Sequence, residues 1–204
     1  MIFKRKIKIL YLILSVTALL MAGCGSTTNT SEAGNTGVFV DATISLTDAG
    51  TTVAGQIDVV QDICDATVTP IKYEDFFDAL GDVTFDTTSI LPDNNDTTLY
   101  IDSYRVDYLP LPSPDSSGNM LMPPALNSVS WNKTIILPSN GSVSATIVTV
   151  PVATKLEFYN TGFLSLAPQG FYTVRVTFFG KSISGQSFTI IVDGDALFSN
   201  YDNC

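Results

Sequence analysis

Carboxylates are the most abundant groups in this sequence that could do chemistry. Twenty residues are Asp or Glu, and all but Glu32, Glu74 and Glu157 are Asp. Because calcium takes about six to eight oxygen ligands from loops rich in Asp and Asn, close groups of Asp indicate candidate calcium sites. Such groups lie at Asp93 and Asp96, at Asp193 and Asp195, and at Asp58, Asp62 and Asp65. The alternative is that these short side chains form turns on a soluble surface.

Histidine is absent from the sequence. The chain therefore lacks Ser-His-Asp and Cys-His nucleophile systems, histidine-ligated zinc and histidine-ligated haem. Paired carboxylates could still do acid–base chemistry, but only where two of them face each other across a cleft with separated pKa values. Most Asp pairs on so acidic a surface are solvated, so we expect a protein that is not an enzyme and has no cofactor beyond the candidate calcium. An enzyme that uses two paired Asp residues in a deep pocket is the remaining hypothesis.

The N-terminal residues have the pattern of an export signal. Lys4, Arg5, Lys6 and Lys8 form a basic cluster, and an uncharged, mainly apolar run follows from Ile9 to Gly23. A helix that crosses a bilayer needs about 20 apolar residues, and this run is shorter. Residues 1–23 are therefore predicted to be a signal peptide.

The end of this run, Leu20-Met21-Ala22-Gly23-Cys24, resembles the lipobox of bacterial lipoproteins. The resemblance implies cleavage after Gly23 and acylation of Cys24 by chains such as palmitate. It also implies transfer to the outer membrane, on the periplasmic or the surface side, because Gly25 rather than Asp follows the cysteine. Several acyl chains would give stable membrane attachment where one chain would be marginal.

Removal of the signal peptide makes the chain strongly acidic. Six basic groups then stand against twenty acidic ones, a net charge of −14. Such a surface repels phosphate backbones, so we expect no nucleic-acid partner. Attachment to the membrane would depend on the acyl chains.

Two cysteines, Cys64 and Cys204, remain once Cys24 is assigned to lipid. An even number of thiols in an oxidising compartment predicts a disulfide between them. The alternative is two free thiols. Residues 24–36 contain no large apolar side chain and are predicted to be a flexible tether, which leaves residues 37–204 as the domain.

The domain shows the alternation of polar and apolar residues that is typical of strands. In the run Val38–Leu46, Val38, Val40 and Ala42 share one face and Asp41 and Thr43 share the other. The remaining strand candidates are Thr52–Val60, Val83–Ser89, Leu99–Tyr108, Thr134–Leu137, Ser142–Val150, Phe171–Gly180 and Ser187–Val192. We therefore expect an all-β, two-sheet sandwich of about 7–9 strands.

Turns and helices are indicated at a few positions. Asn140-Gly141 and Ser184-Gly185 are hairpin-type turn signals. The apolar spacing from Tyr73 to Gly81 favours a two-turn helix over an edge strand, and Pro151–Phe158 could form a single helical turn. One or two short helical turns are therefore expected.

The last strand candidates, Gly170–Gly180 and Gly185–Val192, resemble the closing hairpin of bacterial immunoglobulin-like or fibronectin type III-like domains. The resemblance implies an immunoglobulin-like sandwich, and a fold of this kind does not fix the function.

Apolar side chains in a proline-rich loop give the best indication of a binding surface. Met120, Leu121 and Met122 lie within the irregular stretch Pro110–Leu126, and long loops of this kind are usually functional or disordered. Exposed, the three would suit a partner surface; folded back, they would cap one end of the sandwich. Tyr100, Tyr104 and Tyr108, on one predicted strand face, form either a carbohydrate platform or half-buried packing.

These features predict a non-catalytic, membrane-anchored envelope lipoprotein whose sandwich binds a protein partner or serves as an accessory surface module. The alternative is a domain at the cell surface that recognises polysaccharide, or that is stabilised by calcium. An aromatic strip beside an open cleft would favour the alternative.

Overall fold

A computed structural model describes residues 30–31, 36–49, 51, 53–91 and 97–201 of the chain. The predicted signal peptide, Cys24, Asp93, Asp96 and Cys204 lie outside these residues. No helix within the described part of the chain is long and apolar enough to cross a membrane.

The described residues form thirteen strands, one α-helix and one 3-10 helix. Seven strands have nine or more residues. The strands are β1 (Thr30–Ser31), β2 (Val38–Thr47), β3 (Gln56–Asp58), β4 (Ile63–Asp65), β5 (Lys72–Tyr73), β6 (Ala79–Ser89), β7 (Leu99–Leu111), β8 (Ser113–Pro114), β9 (Met120–Leu121), β10 (Val129–Leu137), β11 (Gly141–Val150), β12 (Gln169–Ser182) and β13 (Ser187–Ser199). Helix α1 (Val152–Asn160) and the 3-10 helix (Phe163–Ser165) precede β12.

Two sheets pack face to face. The smaller has the strand order β11-β6-β2, and the larger has the order β1-β13-β12-β7-β10, with β3 on the outer edge of β13. The pairs are antiparallel except for β3, which runs parallel to β13. The short pairs β4-β5 and β8-β9 form two further two-stranded sheets. The prediction of an all-β sandwich is confirmed.

The core forms where the alternating apolar residues of the two sheets meet. Val38, Val40 and Ala42 of β2 are buried, as predicted from their spacing. Phe85 of β6 and Phe178 of β12 pack edge to face between the sheets, with ring centroids 5.1 Å apart. Such aromatic pairs add to the free energy of burial.

Two tyrosines of β7 tie the sheets together. The hydroxyl of Tyr108 donates a hydrogen bond to the carbonyl of Thr149 over 2.7 Å, and the hydroxyl of Tyr104 bonds to the backbone of Val148. Both side chains are buried, so the packing interpretation of these residues is confirmed. Tyr100 faces the other way, because β7 breaks its alternation opposite the bulge in β10 between Asn132 and Ile135.

Helix α1 closes one end of the sandwich, which we call the helix end. Phe158 of α1 packs against Tyr172 and Phe198, with ring centroids 6.0 Å and 5.3 Å away. The opposite end carries the connection between β12 and β13, and we call it the turn end. A helical turn was predicted from Pro151 to Phe158; the helix spans Val152–Asn160 with Pro151 as its N-cap.

The helix predicted from Tyr73 to Gly81 is wrong. The chain pairs through β5, is irregular from residue 74 to 78, and enters β6 at Ala79. Gly81 is not a helix cap. A Cβ there would lie 2.6 Å from Cγ2 of Thr149 and 2.9 Å from Cδ1 of Ile44, so close packing between strands requires glycine.

Two further predictions need correction. The strand predicted from Thr52 to Val60 shortens to β3, and Thr52 lies outside the described residues. The Asn140-Gly141 signal does not close a hairpin, because β10 pairs with β7 while β11 pairs with β6 in the other sheet. Ser184-Gly185 does join the hairpin β12–β13, and Gly185 has a φ of 84° there.

The segment predicted as a tether contributes a short strand. Thr30 and Ser31 pair with Ile191 and Ile190, respectively, in the middle of β13. Strand β1 therefore runs from the helix end toward the turn end.

Candidate functional site

A buried ion pair joins β2 to α1 at the helix end. The ammonium group of Lys155 donates to both carboxylate oxygens of Asp48 over 2.7 Å, and each side chain is 1% exposed. The backbone N–H groups of Ala49 and Asp58 donate to the same carboxylate. The ring of Phe76 lies 4.9 Å from the ammonium nitrogen. These contacts satisfy the buried charges, and their burial indicates a role in holding the structure.

Two more acidic side chains lie close to each other near the helix end. Asp58 and Glu74 are both buried. The carboxylate of Asp58 accepts hydrogen bonds from the N–H groups of Val60 and Tyr201, and that of Glu74 accepts one from Asp62. Asp58 therefore joins the chain at Tyr201 to the end of β3. Glu74, which follows β5, is joined in the same way to Asp62, which precedes β4.

Burial has a clear effect on Asp58. Together with the smaller effect of the neighbouring Glu74 carboxyl, it raises the pKa of Asp58 from 3.8 to about 6, although the N–H groups of Val60 and Tyr201 act in the opposite direction. The folded protein therefore holds a proton at Asp58 that the unfolded chain releases between about pH 4 and pH 6.

We expect the protein to lose stability as the pH rises through this window. The free energy of unfolding contributed by Asp58 should fall by at most about 3 kcal/mol between pH 4 and pH 7, because one pKa unit corresponds to about 1.4 kcal/mol. Asp58→Asn should flatten this part of the curve, since an amide keeps an acceptor and has no proton to lose. Urea unfolding of both proteins from pH 4.5 to 7.5 measures the effect, and parallel curves would contradict it.

The chain between β3 and β6 forms a protruding hairpin at the helix end, which we call the 61–78 hairpin. Every residue of its tip, residues 66–71, is exposed, and none is charged. Val68 and Ile71 in the tip are 42% and 45% exposed, and Ile63 and Phe77 nearer the base are more exposed still. Exposed apolar side chains in such a concentration indicate an interaction surface.

The predicted partner loop forms a second hairpin at the same end, through β8 and β9. Met120 and Met122 are 68% and 60% exposed, whereas Leu121 packs against the core. Asp115 fixes the turn by accepting hydrogen bonds from the N–H groups of Ser117 and Asn119. The two methionines therefore do not fold back over the sandwich.

The candidate calcium ligands are dispersed. Asp193 forms a two-point ion pair with Arg175 over 2.8 Å, and Asp195 is exposed. Asp65 binds the backbone and hydroxyl of Thr67. Among the described residues, no three Asp, Glu or Cys side chains are placed to hold a metal ion.

The cysteine predictions fall partly outside the described chain. Cys64 lies half-buried in β4, within the 61–78 hairpin. Its predicted partner Cys204 is outside the described residues, as is the acylation site Cys24. The disulfide therefore stays a prediction.

Sequence reasoning missed the Lys155–Asp48 pair and the exposed tip of the 61–78 hairpin. The pair joins residues 107 positions apart, and neither neighbourhood has an unusual composition. The hairpin carried no distinguishing signal either, because uncharged runs of six or more residues recur along this chain, for example at residues 42–47 and 49–57.

Comparison with known proteins gives no assignment. No known protein family matches this chain, and neither does any curated protein.

Proposed function

We propose that this protein is a non-catalytic envelope lipoprotein that binds a protein partner through the helix end of its sandwich. The observation that carries the proposal is the exposure of Met120 and Met122 on a hairpin whose turn is fixed by Asp115. Methionine side chains are flexible and polarizable, and they are common on surfaces that bind other proteins. A fixed hairpin presents them with little loss of backbone entropy on binding.

The proposal places the protein at the outer membrane, anchored through acylated Cys24. The basic cluster, the apolar run and the lipobox-like residues up to Cys24 support this location. These features follow one another in the order of a lipoprotein signal. The apolar run is shorter than a membrane-spanning helix requires.

We also propose that the sandwich is immunoglobulin-like or fibronectin type III-like. Among the seven long strands, the first, second and fifth share the smaller sheet, and the third, fourth, sixth and seventh share the larger one. Antiparallel sheets of three and four strands, joined by connections that cross between them, support this assignment.

Copurification from native membranes tests partner binding. The lipidated chain should retain a stoichiometric protein partner, and replacing Met120 and Met122 together by Ser should release it. Ile136→Ser is the matched control, because Ile136 is an exposed apolar residue of β10. The same partner yield from both variants, or no partner with the unaltered chain, would contradict the proposal.

The anchor gives a separate prediction. Cys24→Ser should prevent acylation and processing, because the serine hydroxyl cannot replace the thiol in lipid transfer. We expect the variant to leave the detergent-soluble membrane fraction, and mass spectrometry of the mature chain should find no acyl mass. Cleavage after Gly23 with unchanged membrane association would show that the lipobox resemblance is incidental.

A further inference from the structure

We propose that the tip of the 61–78 hairpin inserts into the surface of the membrane to which the protein is anchored. This inference rests on the acylation of Cys24 under the proposed function. It concerns which end of the sandwich faces the bilayer.

The path of the chain leads the anchor toward the helix end. Strand β1 pairs with β13 so that Thr30 lies beside Ile191 and Ser31 beside Ile190. The chain in β1 therefore comes from the helix end. This is the end from which the 61–78 hairpin projects.

The length of the chain before β1 matches the distance to the base of this hairpin. Six residues from Cys24 to Thr30 can span at most about 20 Å. On β13, the distance from Ile191 to Leu197, where β3 pairs, is also about 20 Å for a strand. An acylated Cys24 thus reaches the level of β3 when the chain before β1 is fully extended, and the hairpin begins just after β3.

The chemistry of the tip suits the interfacial layer of a bilayer. Residues 66–71 are all exposed and uncharged, with Ala66, Val68, Pro70 and Ile71 as the apolar members. Lys72 and the half-exposed Tyr73 follow directly. Lysine and tyrosine at the edge of an apolar segment are typical of membrane interfaces, where the polar ends stay in the headgroup layer.

The base of the hairpin is fixed, so the tip is held in position. The N–H of Glu74 donates to the carbonyl of Asp62, and the N–H of Asp62 donates to the carboxylate of Glu74 over 2.8 Å. The side chain of Gln61 donates to the carbonyl of Glu74. Phe76 packs on the Lys155 ammonium group.

The turn end is a poorer candidate for this contact. It also exposes apolar residues, among them Ile90 and Ile183. However, the sequence that connects β6 to β7 at that end contains Asp93 and Asp96. The acidic residues of the 61–78 hairpin all lie outside its tip, at Asp62, Asp65, Glu74, Asp75 and Asp78. Carboxylates are costly to bring into the layer next to hydrocarbon, so the turn end would bring Asp93 and Asp96 into that layer where the tip brings none.

Quenching of tryptophan fluorescence by brominated lipids tests the proposal. The only native tryptophan is removed by Trp131→Phe, and Val68→Trp then places a reporter at the tip. Ile183→Trp in the same background is the matched control at the turn end, and Ile71→Trp is a second tip reporter. The lipidated full chains are reconstituted into vesicles of phosphatidylethanolamine and phosphatidylglycerol with brominated acyl chains, and flotation measures their attachment.

We expect emission from both tip reporters to fall about twofold, since interfacial segments sit about 5–10 Å into the headgroup and acyl boundary. The control at position 183 should keep its emission. Chains that float with unquenched tip reporters, or with equal quenching at position 183, would overturn the hairpin proposal alone. Chains that fail to float would overturn the anchor and this inference with it. If the tip is shielded from solvent in native membranes but not in the lipid vesicles, a protein partner and not lipid covers it. That result would also overturn the inference.

Discussion

Lys155→Met should lower the free energy of unfolding by about 3–5 kcal/mol, because removal of one partner leaves a buried charge without compensation. The carboxylate of Asp48 would lose the ammonium group that contacts both of its oxygens over 2.7 Å. It would keep only the backbone N–H groups of Ala49 and Asp58. Urea unfolding at pH 7 measures the change, with circular dichroism as the readout.

A double variant separates the cost of an orphaned charge from the value of the pair. Asp48→Asn combined with Lys155→Met removes both charges and keeps a side-chain oxygen for one of the backbone N–H groups. We expect the double variant to be more stable than Lys155→Met alone, since a buried pair often contributes little once both charges are gone. A single variant that loses less than about 1 kcal/mol would mean that water reaches Asp48, as at exposed ion pairs.

Loss of the predicted disulfide between Cys64 and Cys204 should have an effect of similar size. The bond would close a loop of about 140 residues, for which chain-entropy models give roughly 4–5 kcal/mol, an upper value that strain reduces. The surrounding contacts favour this pairing. The N–H of Tyr201 donates to Asp58 over 3.3 Å, and the N–H of Val59 donates to Ser199 over 3.0 Å. Ser199 and Tyr201, near the end of the described chain, are thus held close to the start of the 61–78 hairpin.

Intact-mass analysis with and without reductant tests the bond. The unreduced, unfolded chain should resist alkylation at both positions, and reduction should add two hydrogen atoms and two reactive thiols. Cys64→Ser and Cys204→Ser should each lower the melting temperature to the same extent, because either change opens the same loop. Unequal losses would show that one cysteine stabilises the fold by packing, and two alkylatable thiols in the unreduced protein would contradict the disulfide.

The sandwich could be predicted from sequence because its signal is local. In β2 the alternation of Val38, Val40 and Ala42 with polar residues selects one buried face within a single strand. The contacts of the helix end could not be predicted in this way. Asp48 and Lys155 meet only after the two sheets and α1 have packed, and β3 joins β13 across most of the sequence.

The wrong helix between Tyr73 and Gly81 shows how a helical spacing can mislead. The aromatic residues there do recur at helical intervals, but they lie in different environments. Phe76 packs against the Lys155 ammonium group, whereas Phe77 is exposed. Gly81 is required by the close contact with Thr149 and Ile44. No single helix face exists for these residues, so the periodicity had no structural cause.

For the candidate binding surface, the sequence indicated which residues could contact a partner, but it did not indicate whether they are exposed. Prolines and methionines marked Pro110–Leu126 as unusual, and exposure and cover were both compatible with that composition. The structure separates Leu121, which packs on the core, from its two exposed neighbours. Such a difference between adjacent residues depends on the direction of two short strands, which composition does not encode.

The short strands β1 and β3 cover part of one edge of the larger sheet. They occupy two stretches of the outer edge of β13, at Ile190–Ile191 and at Leu197–Ser199, and so shorten the row of backbone groups that another copy could extend. On the far side of the sheet, β10 is interrupted by its bulge, and Lys133 turns its ammonium group to the carbonyl of Thr146. Bulges and lysines are common means of preventing edge-to-edge aggregation. If the proposed anchor at Cys24 confines the molecules to one membrane plane, neighbours meet far more often than in solution, and such blocked edges would keep crowded copies from joining into continuous sheets.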